Sequence, residues 1–192
     1  MAAEVFFNTL LFPKVNPVAP IYVGQLQNGV IWIRVEGKGS FKNSSELKEF
    51  ASVVINKGAK EFVIDLENCP VMDSTFMGTL VGITRNLSKI DQSRIDVINA
   101  NSRNEQLLVS LGIDKILSLD ENNKVHHDIR DDISEHIENG HYLEHEELDS
   151  LKGAIHTLEA HQELIKAEKN NVPRFKDVIH YLEQELKDKK QS

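Results

Sequence analysis

Cysteine is nearly missing from this 192-residue chain: Cys69 is the only one. An internal disulfide is therefore excluded, and a reducing cytoplasm is the expected compartment. With no cysteine or histidine close to it in sequence, Cys69 reads as a small core residue rather than a nucleophile. No apolar run approaches the roughly 20 residues that a membrane helix needs. No basic residue precedes the apolar stretch of MAAEVFFNTLLFPKV, so a cleaved signal peptide is not expected either. There is no glycine-rich phosphate loop and no Gly-x-Ser-x-Gly elbow, and all eight histidines lie between His126 and His180. The first 120 residues thus hold no imidazole to activate a serine, and neither enzyme activity nor a cofactor is expected. A net charge of -8 argues against a nucleic-acid surface, which would show a basic patch.

What is present is ordinary for a soluble protein, 40% hydrophobic and 27% charged. The charge is spread unevenly. Residues 1–120 carry 12 basic and 13 acidic side chains, whereas residues 121–192 carry 10 and 17. That shift divides the chain into an N-terminal arm at 1–19, a domain at 20–122 and an acidic, histidine-containing helical extension at 123–192.

Ile21 to Gly24 and Val30 to Val35 read as strands around Asn28-Gly29, a strong hairpin signal because both residues tolerate positive φ. Asn43 or Ser44 can cap a helix whose buried stripe runs through Leu47, Phe50 and Val53 or Val54, with Gly58 at its stop. Phe62 to Leu66 and Ile95 to Ile98 are strand-like. Ser102 and Glu105 have the spacing of a capping box for a helix burying Leu107, Leu108 and Leu111. A short strand at Ile116 to Leu119 closes the domain. Strands alternating with helices predict an α/β fold, a mixed β-sheet with helices packed against it.

The most informative segment is EFVIDLENCPVMDSTFMGTLVGITRNL, from Glu61 to Leu87. A buried strand leads to Asp73-Ser74-Thr75, and Met77, Leu80, Val81, Thr84 and Leu87 then give a helix one buried face. One of the three polar residues can cap that helix, whose first N–H groups lack partners. Capping is the reading that physics alone favours, but Ser74 is also well placed for phosphorylation, because a phosphate there would meet the positive end of the helix dipole.

This segment resembles the signature of the STAS domain, the fold of bacterial anti-sigma factor antagonists, and the resemblance covers roughly residues 20–120. In that family a buried strand enters an Asp-Ser-Ser/Thr-Gly turn whose first hydroxyl residue is the kinase target. The resemblance implies a STAS-like sheet and makes Ser74 the phosphorylation site, with Thr75 a minor candidate. It implies a binding surface at Asp73, Ser74 and Thr75 for an anti-sigma factor or serine kinase, with a serine/threonine phosphatase as the resetting partner. Two departures stand out. Phe76 replaces the glycine of the turn, so it either reshapes the partner surface or packs into the core. Lys42, in Gly39-Ser40-Phe41-Lys42, replaces a partner-facing acid. These departures and the long extension favour the alternative, a non-switching STAS scaffold or oligomerisation protein.

The extension predicts a helical hairpin. Leu143, Leu148, Leu151, Ile155, Leu158 and Ile165 form one stripe; Phe175, Val178 or Ile179, Leu182 and Leu186 form another, with Pro173 in the second helix's first turn. Ile129, Ile133 and Ile137 suggest a short helix before it. The hairpin is expected either to dock on the first domain or to form a homodimer, the latter slightly favoured. His141 and His145 have the i, i+4 spacing of helix-borne metal ligands, but the surrounding acids describe a solvated face and no metal is expected.

Overall fold

The computed structural model describes residues 20–26, 28–120, 141–144 and 148–191. β1 (Ile21–Gln25) and β2 (Ile31–Val35) form the opening antiparallel hairpin, with Val23 opposite Ile33. Its turn uses Asn-Gly as the sequence predicts: Gly29 has φ 89° and Asn28 Oδ1 accepts from the Val30 N–H at 3.1 Å. From β2 onward helices and strands alternate: α1 (Ser44–Asn56), β3 (Glu61–Asp65), α2 (Ser74–Leu87), β4 (Arg94–Ile98), α3 (Ser102–Ser110) and β5 (Ser118–Leu119). Strands β2 to β5 pair in parallel, so each link must cross the sheet, and the helices are those crossovers.

The main core lies between sheet and helices, built from Val23, Ile33, Phe62 and Ile64 of the strands and Leu47, Phe76, Leu80 and Leu87 of the helices. Alternate strand residues Trp32, Val63 and Ile98 form a smaller cluster on the opposite face. That face also buries an ion pair. Arg34 Nε donates to Asp65 Oδ2 at 2.7 Å, while Asp65 Oδ1 accepts from Asn99 Nδ2 and the Glu67 N–H.

Several local expectations are corrected. Asn101 caps α3, accepting from the Asn104 N–H, so the box of Ser102 and Glu105 does not form. Asn101 wins because its amide also donates to the Cys69 carbonyl, tying the helix start to the loop after β3. Asn43 precedes α1 but spends its side-chain oxygen on the Ser40 N–H rather than on the helix. The closing strand is only two residues long because Ile113–Lys115 turn as a short 3-10 helix first.

The extension differs more. His141–Tyr142 form β6, antiparallel to β1, so the sheet runs β5-β4-β3-β2-β1-β6. His141 is therefore in a strand and not on a helix face with His145, which lies outside the described residues; the open edge of β1 offers its backbone groups a ladder. The helix α4 starts only at Ser150 and runs to Ala167, capped by Asp149, which accepts from the Leu151 and Lys152 N–H groups. A 3-10 turn at Lys169–Asn171 leads into α5 (Val172–Gln191), with Pro173 in its first turn. Lys189 of α5 reaches the Ser150 hydroxyl at 2.6 Å, which fixes the pair as antiparallel.

This hairpin docks on the first domain of its own chain, with α4 lying along α2. The docked face is not the predicted leucine stripe. Leu151 and Ile155 are 40% and 39% exposed, whereas Ala154, His156, Ala160, His161 and Leu164 are buried. Small residues win because α2 presents glycines there: a methyl built on Gly78 would overlap the Ala160 carbonyl. The stripe of α5 fares better, with Leu182 buried and Phe175 packed against the core. The short helix expected around Ile129, Ile133 and Ile137 lies outside the described residues. No described helix is long and apolar enough to cross a membrane.

Candidate functional site at the Ser74 turn

Two loops are stitched together to build the turn. Gly39 and Met72 form an isolated parallel bridge, and the Asp73 N–H donates to the Gly39 carbonyl at 2.9 Å. Asp73 is the N-cap of α2. Its Oδ1 accepts from the Phe76 N–H at 3.0 Å and its Oδ2 from the Phe41 N–H at 3.1 Å. Capping is thus the work of Asp73, which leaves the Ser74 hydroxyl free of that duty.

The neighbours of Ser74 separate in depth. Ser74 is half-buried, Thr75 is 5% exposed, and Phe76 is 0% exposed. Phe76 therefore packs in the core beneath the turn, and its bulk does not shape the surface. Lys42 is exposed, in the loop that Asp73 clasps through Phe41.

What the sequence reading missed arrives from α4. Ser74 Oγ lies 3.0 Å from His161 Nε2. The other ring nitrogen, Nδ1, is 2.8 Å from the Thr157 carbonyl, which can only accept, so Nδ1 carries the hydrogen. In the neutral ring Nε2 then accepts from the Ser74 hydroxyl. Phe175 of α5 meets the imidazole edge-on, with centroids 5.1 Å apart, and closes it in from behind.

One turn away, His156 repeats the theme. Its Nε2 is 2.8 Å from Ser44 Oγ of α1 and 3.5 Å from Thr79 Oγ1 of α2, both buried hydroxyls. Burial pushes the His156 pKa below its ordinary value, Lys48 pushes the same way, and Glu159, Glu46 and Asp73 oppose them. At the hairpin's turn, buried Asn171 donates from Nδ2 to the carbonyls of Leu111 in the first domain and Leu164 in α4, at 3.0 and 2.9 Å. Ion pairs Lys48–Glu159, Arg85–Glu163 and Lys115–Glu168 line the rim, joining basic residues of the first domain to acids of the extension.

A groove of about 1310 Å³ between α1, α2 and α4 is lined by Lys48, Ile55, Gly82 and Lys166 among others, but not by Ser74 or His161. Among the described residues, no group of three or more His, Cys, Asp or Glu is arranged to hold a metal ion. The one sequence signal for the docked face was small residues and histidines at helical spacing, Ala154, Ala160 and His161. Larger apolar residues on the outer face masked it.

Comparison with known proteins agrees with this architecture. The STAS domain profile matches residues 24–127. Among solved structures, an anti-sigma factor antagonist from Mycobacterium paratuberculosis is 17% identical, with a TM-score of 0.51 over 62% of this chain and 99% of that one. The Bacillus cell fate determinant SpoIIAA in its phosphorylated form is also 17% identical, with a TM-score of 0.47 over 57% of this chain and 99% of that one. SpoIIAA in its unphosphorylated form is 16% identical, with a TM-score of 0.47, and covers 59% and 97%. At such identities the likeness is one of fold. None of the curated proteins compared matches. With more than half of its length matched, the chain belongs to the STAS domain family.

Proposed function

We propose that this protein is a phospho-switched binding module: unmodified, it engages an anti-sigma factor or related serine kinase, and phosphorylation of Ser74 ends that contact. The observation that carries the reading is the division of labour at the turn. Asp73 caps α2 with both carboxylate oxygens occupied, so the Ser74 hydroxyl is not needed to hold the helix. A phosphate at the first residue of a 14-residue helix meets the positive end of the dipole, so the fold tolerates it. The added charge, nearly two units, would sit at the centre of the contact surface and oppose an acidic partner face. Ser74 rather than Thr75 takes the group because Thr75 is buried. Exposed Lys42 beside the turn gives the surface a cation that selects a partner with a matching acid. The module itself does no chemistry, and a serine/threonine phosphatase restores it.

The test is intact-mass measurement and phosphopeptide mapping of the protein from its own cells, beside Ser74→Ala. The expected result is a single phosphate on Ser74 that disappears in the variant. A phosphate retained in full by the Ser74→Ala protein would refute the assignment. A second reading, a non-switching scaffold, is favoured by the outward face of α4, where Leu151 and Ile155 are left exposed.

A further inference from the structure

We infer that the C-terminal hairpin is a built-in cap on the switch surface, and that Ser74 can be reached by a kinase or a partner only after α4 has left α2. This rests on reading Ser74 as the modification site.

Ser74 Oγ and His161 Nε2 are already in hydrogen-bond contact, which leaves no space for a phosphoryl group between them. The other hydroxyls of this face are covered as well: Ser44 is 0% exposed and Thr79 4%, both under His156. Residues 150–167 of the same chain therefore occupy the surface that an outside partner would need.

The seam is also made to open. Beside its apolar contacts it carries many polar ones: two histidines on hydroxyls, Asn171 on the Leu111 carbonyl, and three ion pairs at the rim. Interfaces of that composition belong to units that move relative to each other rather than to permanent cores. Alongside the seam, a groove between α1, α2 and α4 runs past Lys48, Gly82 and Lys166, so α4 is not enclosed on that flank. The apolar part of the seam is Leu164 with Phe175 and Ala167 beside it, and the small side chains of Ala154 and Ala160. The charge balance supports the same occupant, because Lys48, Arg85 and Lys115 of the first domain meet Glu159, Glu163 and Glu168 of the extension.

A test that needs no kinase uses the full-length chain carrying Ser74→Cys and a maleimide-polyethylene glycol reagent, too bulky to enter a closed seam. Two wedges open the seam from opposite sides. Gly78→Leu drives a side chain into the Ala160 backbone, and Ala160→Glu places a charge at a position 4% exposed. Each should speed modification of the thiol at position 74 at least about tenfold, the equivalent of about 1.4 kcal/mol. Buried Cys69, whose thiol pKa burial pushes up, reports whether the first domain stays folded. Equal rates with and without the wedges would overturn the cap. So would a Cys69 that reacts in step with position 74 in both wedge variants, because the hairpin would then be part of the core. Either failure leaves the assignment of Ser74 as the phosphorylation site standing, since that is decided by mapping alone.

Discussion

Asp73 and Phe41 join two loops from different crossovers: the Phe41 N–H donates to Asp73 Oδ2 at 3.1 Å while Oδ1 caps α2. One carboxylate therefore sets both the start of α2 and the loop that presents Lys42. Asp73→Ala should cost about 1–2 kcal/mol, the range for a lost N-cap. For a chain of this size that is a fall of several degrees in melting temperature, at about 2–4 °C per kcal/mol. Ser74→Ala should leave the start of α2 intact, because Ser74 caps nothing, and should instead loosen α4, whose His161 loses its hydroxyl partner. Faster amide exchange in the first turn of α2 in Ser74→Ala, matching that in Asp73→Ala, would mean that the capping roles are shared.

Gly78→Ala should act against its usual sign. In an exposed helix the change adds about 1 kcal/mol of stability. Here the new methyl overlaps the Ala160 carbonyl, so α4 must shift. The expected outcome is a lower melting temperature, together with faster amide exchange in α4 and unchanged exchange in β2 and β3. A variant more stable than the parent would show that α2 and α4 do not touch in solution.

Docking of the hairpin should weaken in mild acid. His156 faces Ser44, Glu46 and Lys48 of α1, Thr79 of α2 and Asp73 at its cap, with Glu159 beside it on α4. Its pKa is lowered chiefly by burial, so the docked state disfavours the protonated ring. Above about pH 6.5 both states hold the neutral ring and nothing is lost. As pH falls below that value the undocked chain takes the proton first, and stability drops until the docked ring also protonates. The fall in melting temperature between about pH 7.5 and 5.5 should be smaller in His156→Gln than in the parent, measured by circular dichroism. Identical falls would remove His156 as the source.

Asn171→Ala tests the clasp at the hairpin's turn. Its amide donates to Leu111 in one unit and Leu164 in the other, and Asn171 is 1% exposed. Losing both bonds should cost about 1–3 kcal/mol. The loss should appear as faster exchange in α4 and α5, with the strands unaffected. Unchanged exchange in both helices would mean that the clasp does not hold the hairpin.

The alternation of strands and helices and the Asp-Ser-Thr turn were legible because they depend on short-range pattern. Asn28-Gly29, the strand from Phe62 and the stripe of α2 all express local sequence pattern. The docked face of α4 was not legible. A leucine stripe normally marks the buried side of a helix, but Leu151 and Ile155 face outward because the glycines of α2 reward a small residue such as Ala160 instead. The role of His161 was not legible either. Its partner is 87 residues earlier in the chain, and no spacing rule spans that distance. His141 was assigned to a helix because its spacing to His145 suits one, whereas the unpaired edge of β1 drew it into a strand.

That small strand also bears on the proposed competition between the hairpin and an outside partner. β6 is bonded to β1, and only six residues separate Tyr142 from Asp149, the cap of α4. A released hairpin therefore remains on a short leash, at an effective concentration on the order of millimolar. If the hairpin caps the surface as proposed, an outside protein must bind the vacated surface more tightly than this tethered rival does. Weak, chance encounters would then be screened out, and a partner with micromolar affinity would gain the surface only when abundant or when the tethered helix has been weakened first.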